Sequence, residues 1–336
     1  MTRKRPQIPR RAALAAGAVL AAPAAIMAAR AQTPDRNVLD RPLRLVLGFP
    51  AGSAPDVAAR LLADGMREAM PGGIAVDNRP GAGGLIATGE IARGAPADGS
   101  VLLFGEVGAL AMAPYTYARL SYDPARDFAA VAEVAAVDFA LAVPANTPAG
   151  DFAAYLAWAR ARGESFMGTI GAGTPSHFGA SLLARAGGLR MEPVHFRAQG
   201  DLMNALLGGD VQGMFGTVSS VAPLVRSGGA RALLVTSPAR SPLLPDVPTA
   251  AEVGQPSLAF EAWFGLVAPA ATPAPVLAAL EAATLRALAA PATRTRMEAA
   301  GFRVAANGRE AFGARMTAER ARWAEVVRAT GFRAIE

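Results

Sequence analysis

Short apolar runs that end in glycine- or hydroxyl-rich loops recur along this chain, and most are followed by a segment whose apolar residues repeat with helical spacing. The runs are LRLVL (Leu43 to Leu47), IAVDN (Ile74 to Asn78), VLLFG (Val101 to Gly105), FALAV (Phe139 to Val143), FMGTI (Phe166 to Ile170), PVHF (Pro193 to Phe196), VQGMF (Val211 to Phe215), ALLVTS (Ala232 to Ser237) and WFGLVA (Trp263 to Ala268). Segments such as DFAAYLAWARAR, PSHFGASLLARAG and GDLMNALLGG separate them. Strands alternating with helices predict an α/β fold built on parallel sheets. Strands that are apolar throughout predict sheets covered on both faces. The Pro-bearing AVPANTPAG (Ala142 to Gly150) divides two such series, and RSPLLPDVPTAAEVGQP (Arg240 to Pro256) ends the second. One more strand and two long helical segments follow, and the exposed faces of the first series are the natural place for those helices. The chain is therefore expected to cross twice between two α/β lobes, residues 32–143 with 262–336 and residues 144–261. A ligand cleft between the lobes follows from that arrangement, at the C-terminal ends of the strands.

Charge excludes one class of partner. Six of the 33 basic residues and none of the 27 acidic ones lie in residues 1–31, so the rest of the chain carries 27 of each and the excess of +6 belongs to the start. A nucleic-acid surface, which needs clustered Lys and Arg, is not expected. The start itself reads as a secretory signal: a basic opening, an Ala-rich apolar run to Ala29, and Ala29-Arg30-Ala31 as a small-x-small cleavage site. PRRAAL, Pro9 to Leu14, suits a twin-arginine address. Residues 1–31 are thus expected to be a signal peptide cleaved after about Ala31, and the mature protein periplasmic. With no Cys, the chain has neither disulfides nor thiolate metal ligands.

Chemistry can lie in six strand-end loops: FPAGSAPD (49–56), RPGAGG (79–84), GEVGAL (105–110), IGAGTPSH (170–177), FRAQGD (196–201) and FGTVSS (215–220). Small residues let backbone N–H groups approach a ligand, and a following helix N-terminus favours negative charge. Phe49 and Phe215, beside these loops, are candidate cleft walls, whereas Trp263 and Phe264 read as core. Nucleotide triphosphate chemistry is disfavoured, because no GxxxxGK[ST] motif occurs and Lys4 is the single lysine. There is no GxSxG elbow. His177 and His195 lack acids at metal-ligand spacing, so no metal is expected. His177 can touch a ligand from its polar loop, and His195 reads as a hydrogen-bonded interior or hinge residue. Arg197 can pair with an acidic ligand or with a surface acid. One enzymatic alternative stays open: Gly81-x-Gly83 after the IAVDN strand, with Glu106 closing the next strand, imitates a dinucleotide fingerprint and its ribose-binding acid. That alternative is an exported oxidoreductase, although Ile86 stands where a third small residue belongs.

Several longer stretches occur in a telling order: FPAGSAPDVAARLLA, VDNRPGAGG, SYDPARDFAAVAEV, GTPSH, LLGGDVQGMF, LLVTSPARSPLLPDVPTAAEVG and WFGLVAPAATP. In these, from Arg41 to the C-terminal helix, the chain resembles the extracytoplasmic solute-binding receptors of tripartite tricarboxylate transporters, the Bug-type receptors. The resemblance implies a type II periplasmic-binding-protein fold, two α/β lobes closing on one small organic carboxylate without chemistry or cofactor. It also implies a monomer and a tripartite-type membrane permease as partner. The family's loop around the ligand carboxylate maps onto Gly52, Ser53 and Asp56, with Asp56 expected to cap its helix or bind water. Its second such loop maps onto Gly173, Thr174, Ser176 and His177. Phe49, Gly83, Gly105, Gln199 and Thr217 complete the expected ligand-binding set. Where some members carry an acid that faces a ligand amine, this chain has Gly216, from which a non-aminated carboxylate is expected, with room for a bulky one in the vacated space.

Overall fold

The computed structural model describes Thr2 and residues 38–335 apart from 197, 198 and 334. Apart from Thr2, the expected leader at 1–31 lies outside the described residues, as does Arg197. In chain order the strands are β1 (Leu43–Leu47), β2 (Ile74–Asn78), β3 (Val101–Glu106), β4 (Phe128–Pro144), β5 (Glu164–Ile170), β6 (Arg190–Phe196), β7 (Gly213–Thr217), β8 (Ala230–Val235), β9 (Glu261–Pro269) and β10 (Arg303–Gly308). The helices are α1 (Ala54–Met66), α2 (Leu85–Gly94), α3 (Ala113–Thr116), α4 (Phe152–Arg162), α5 (Pro175–Gly187), α6 (Gln199–Gly208), α7 (Val218–Arg226), α8 (Ala274–Ala289), α9 (Pro291–Ala299) and α10 (Arg309–Thr330).

Local chemistry accounts for most of these boundaries. Helix α4 starts where the Asp151 carboxylate accepts the Ala154 N–H at 2.8 Å, and it stops at Gly163 with φ 87°. Thr174 caps α5 by accepting the His177 N–H, Pro175 opens its first turn, and Gly188 in the left-handed region ends it. The strands β1, β3 and β9 are almost wholly buried, as expected of apolar runs covered on both faces.

Two sheets share one strand. The first has the order β2-β1-β3-β9-β4-β10 and the second β6-β5-β7-β4-β8. Residues Phe128 to Asp138 of β4 pair with β9, and Phe139 to Pro144 pair with β7 and β8, so the strand changes sheets between Asp138 and Phe139. β1 is parallel to β2 and β3, and β5 is parallel to β6 and β7. The expectation of parallel sheets is thus met only in part, because β4, β9 and β10 run antiparallel to their neighbours. The sequence places a strand at 139–143 alone. The Ala-rich segment before it, FAAVAEVAAVD, carries helical propensity that burial in the sheet overrides. Helix α8 packs on α1, β4 and β10, and α9 on α1 and β10. Helix α10 covers β4 and reaches α5, where Trp323 lies 5.6 Å from the Phe178 ring, so it does not serve the first series alone.

A charged network ties β4 to the elements around its change of sheet. Glu133 is fully buried and accepts from Asn307 Nδ2 at 2.7 Å and from Arg315. Arg315 and Arg303 both bond Glu261, and Arg303 also reaches Asp138 at 3.4 Å. Burial pushes the Glu133 carboxyl above its ordinary range, against the opposing pull of Asn307 and Arg315. Removing one partner leaves an unpaired buried charge, at a cost of about 3–5 kcal/mol. Arg315→Met should therefore lower the unfolding midpoint by several degrees. Glu133→Gln added to it should recover part of the loss, and thermal denaturation of the three proteins checks this.

Candidate functional site

The C-terminal ends of the parallel strands in both sheets open onto one cleft of about 310 Å³. Its walls are apolar: Phe49 after β1, Leu85 at the start of α2, Phe139 on β4, Ile170 at the end of β5, and Phe215 on β7. Part of its polar lining comes from helix starts. A helix leaves its first N–H groups without partners inside it, and the macrodipole adds partial positive charge there. At α5, Pro175 has no N–H and His177 is capped by Thr174, which leaves the Ser176 N–H. Gly83 and Leu85 bring the start of α2 to the cleft, although its Gly84 and Leu85 N–H groups already donate to Gly81 and Ala82, and Thr217, whose side chain makes no capping bond, brings the start of α7. Gln199 enters from α6, its Nε2 donating to Ser220 Oγ at 3.3 Å.

Of the expected site residues, Phe49, Gly83, Gly173, Thr174, Ser176, Gln199 and Thr217 line this cleft. Gly52, Ser53, Asp56, Gly105 and His177 do not, and each has local work instead. The Gly52 N–H donates to Asp56 Oδ2 at 2.8 Å, and the Ser53 hydroxyl donates to the Pro50 carbonyl at 2.6 Å, so both groups expected to face the ligand serve the loop's own shape. Asp56 is buried and also accepts from Arg60 and Asn78. Burial alone would raise its carboxyl, but the bonds from Arg60, Gly52 and Asn78 together hold it below the ordinary range. Gly105 lets Leu110 pack against the end of β3, since a Cβ there would lie 2.5 Å from Leu110 Cδ1.

The two histidine rings lie 4.9 Å apart, and neither lines the cleft. His177 is buried, and its Nδ1 accepts the Gly173 N–H at 3.0 Å, which shapes the loop that lines the cleft. Burial, with a smaller contribution from His195, holds its ring down at about 4, so the ring is neutral at pH 7. His195 is exposed on β6 and not interior, though it is hydrogen-bonded as expected, to Thr169 Oγ1 at 2.6 Å.

Two residues change the sequence picture. Gly216 lines the cleft through its backbone, but a Cβ there would meet Met214 and Val221 at 2.9 Å each. A side chain at this position would leave toward the core, so its absence opens no room for a ligand. Glu106, named in the sequence only for the dinucleotide alternative, lines the cleft and is the one charged side chain among the described lining residues. Its oxygens accept the Gly108 N–H at 2.6 Å and the Ala109 N–H at 2.7 Å. Burial raises its carboxyl to about 6 despite those two bonds. Thr116, Tyr117 and Phe139 also line the cleft without any signal in the sequence, because they lie outside the glycine-rich loops.

A carboxyl whose folded value is raised binds its proton more tightly in the folded state. Its contribution to stability is present below its ordinary value of 4.5 and is lost as pH rises through about 6. The size of that loss is roughly 1–2 kcal/mol. Glu106→Gln removes the titration. The unfolding midpoint of the unaltered protein relative to this variant should therefore fall by about 2–4 °C between pH 4.5 and pH 7.5. An equal difference at both pH values would contradict the assignment.

Residues 58–332 match the family described as tripartite tricarboxylate transporter family receptor. A UPF0065 protein from Pseudomonas sp. (strain P51), encoded in the tcbD-tcbE intergenic region, is 34% identical over 85% of each chain. Among solved structures, the periplasmic binding protein BugD is 30% identical at a TM-score of 0.74, over 88% of this chain and 99% of that one. An R. palustris protein solved with adipate is 29% identical at a TM-score of 0.77, again over 88% and 99%. MatC from Rhodopseudomonas palustris, with bound malate, is 30% identical at a TM-score of 0.72, over 85% and 99%. The fold is that of periplasmic binding proteins, and the dinucleotide alternative is not supported. Ile86 stands where that fingerprint needs a third small residue for close packing of helix on strand, and its side chain is exposed.

Proposed function

The chain belongs to the tripartite tricarboxylate transporter receptor family, and from that premise we propose that its cleft captures one small organic carboxylate and releases it unchanged. It is a solute-binding receptor and not an enzyme. The observation that carries the ligand class is the convergence of the starts of α2, α5 and α7 on one apolar-walled cleft. Helix starts hold an anion through fixed N–H groups and partial charge, with no need of a charged side chain. Adipate and malate, bound by two similar proteins, are both carboxylates.

In this proposal Gly83, Thr174, Ser176, Gln199 and Thr217 surround the ligand, with Phe49 and Phe215 as walls. Gly173 and His177 shape the α5 loop, and Gly52, Ser53 and Asp56 shape the loop after β1. The change of sheet between Asp138 and Phe139 moves the lobe boundary from the expected 143 to there: the described residues of 38–138 with 262–335 form one lobe and those of 139–261 the other, and closure turns about β4 and the start of β9. The mature receptor is a periplasmic monomer, exported by a twin-arginine leader cleaved after about Ala31, and it delivers its ligand to a tripartite-type permease or acts alone.

Thermal unfolding against mono-, di-, tri- and aromatic carboxylates, each beside its amide, tests the ligand class. A ligand at ~100 times its Kd adds roughly 2.7 kcal/mol, a rise of several degrees. The expected result is a shift with at least one carboxylate and none with its amide. Equal shifts with acid and amide, or shifts with neither, would overturn the proposal.

A further inference from the structure

The cleft is polarised. On the side of the second sheet are the helix starts at Ser176 and Thr217, which favour negative charge. On the other is a carboxylate at the end of β3 that makes no ion pair among the described residues. The Glu106 carboxylate has about four lone-pair positions. The Gly108 and Ala109 N–H groups occupy two of them and hold the side chain in place. A Cβ on Gly108 would lie 2.6 and 3.0 Å from the two Glu106 oxygens, so a side chain at residue 108 would displace the carboxylate from this seat. A sheltered carboxylate without a cation is unfavourable, and a ligand cation removes the penalty.

We propose that Glu106 makes this cleft selective for a carboxylate that also carries an ammonium, or another cationic N–H group, on an apolar body. The ammonium docks on the Glu106 carboxylate and the ligand's own carboxylate on the helix starts. The assignment rests on the reading of the cleft as a carboxylate site and narrows it to zwitterions. It also replaces the expectation of a non-aminated ligand, since a side chain at Gly216 would point away from the cleft. The apolar body follows from the walls Phe49, Leu85, Phe139 and Phe215. A dicarboxylate would set its second charge against Glu106, where like charges repel.

Calorimetric titration with matched pairs provides the test: L-phenylalanine and 3-phenylpropanoate, L-leucine and 4-methylpentanoate, 4-aminobutanoate and butanoate, with malate and adipate alongside. A charge-assisted bond at such a site is expected to favour an amine-bearing member over its deaminated partner by about tenfold or more. Glu106→Gln should reduce that ratio to below about threefold. Gly108→Ala, which keeps the charge but displaces it, should reduce the ratio as well. Unfolding midpoints of both variants establish that the fold is kept. Binding of plain carboxylates as tight as that of their amine-bearing partners would overturn the assignment and leave the carboxylate receptor standing. A preference that survives both variants would overturn the role of Glu106. Failure of every carboxylate to bind would overturn the receptor's ligand class itself, and the assignment with it.

Discussion

One strand belongs to both sheets, and the rest of the structure depends on it. β4 runs for 17 residues, and its hydrogen bonds pass from β9 to β7 and β8 between Asp138 and Phe139. A strand that joins two sheets must be buried on both faces and flanked on both edges, so nearly all its side chains are small and apolar. Glu133 and Asp138 are the exceptions, and their charges are met by Arg315 and Asn307 and by Arg303, from elements that return at the chain's C-terminal end. The same crossing brings the strand ends of both sheets to one cleft, with Phe139 in its wall.

The cleft's electrostatics come mainly from the backbone. Three helix starts supply partial positive charge, and His177 is held neutral by burial. Fixed dipoles of this kind hold a carboxylate without forming bonds to it, which suits a protein that must release what it catches. Glu106 adds the opposite sign at the end of β3, seated on two N–H groups of the turn that follows.

Much of this was legible in the sequence, where local chemistry dominates. LRLVL, IAVDN and VLLFG are strands because each is apolar, short and stopped by a turn, and β1 and β2 match those limits. The start of β4 and the whole of β10 were not legible. The first is Ala-rich and becomes strand through burial, and the second, RVAANG, is short and polar at a sheet edge. The site divides in the same way. Glycine-rich loops marked which strand ends face the cleft, but not where their polar groups turn. Gly52 and Ser53 satisfy their own loop, and a residue at 216 would face the core. Side-chain direction depends on packing partners far along the chain, such as Val221 and Met214 for Gly216, and no local pattern encodes it.

Closure around a carboxylate is the central claim, and single-molecule energy transfer tests it most directly. The chain has no cysteine, so Glu68→Cys and Glu192→Cys, at exposed positions near α1 and on β6, give two clean labelling sites. The account predicts that a carboxylate which raises the unfolding midpoint also shifts the label distance to a single new value, while its amide does neither. An unchanged distance at saturating carboxylate would contradict it.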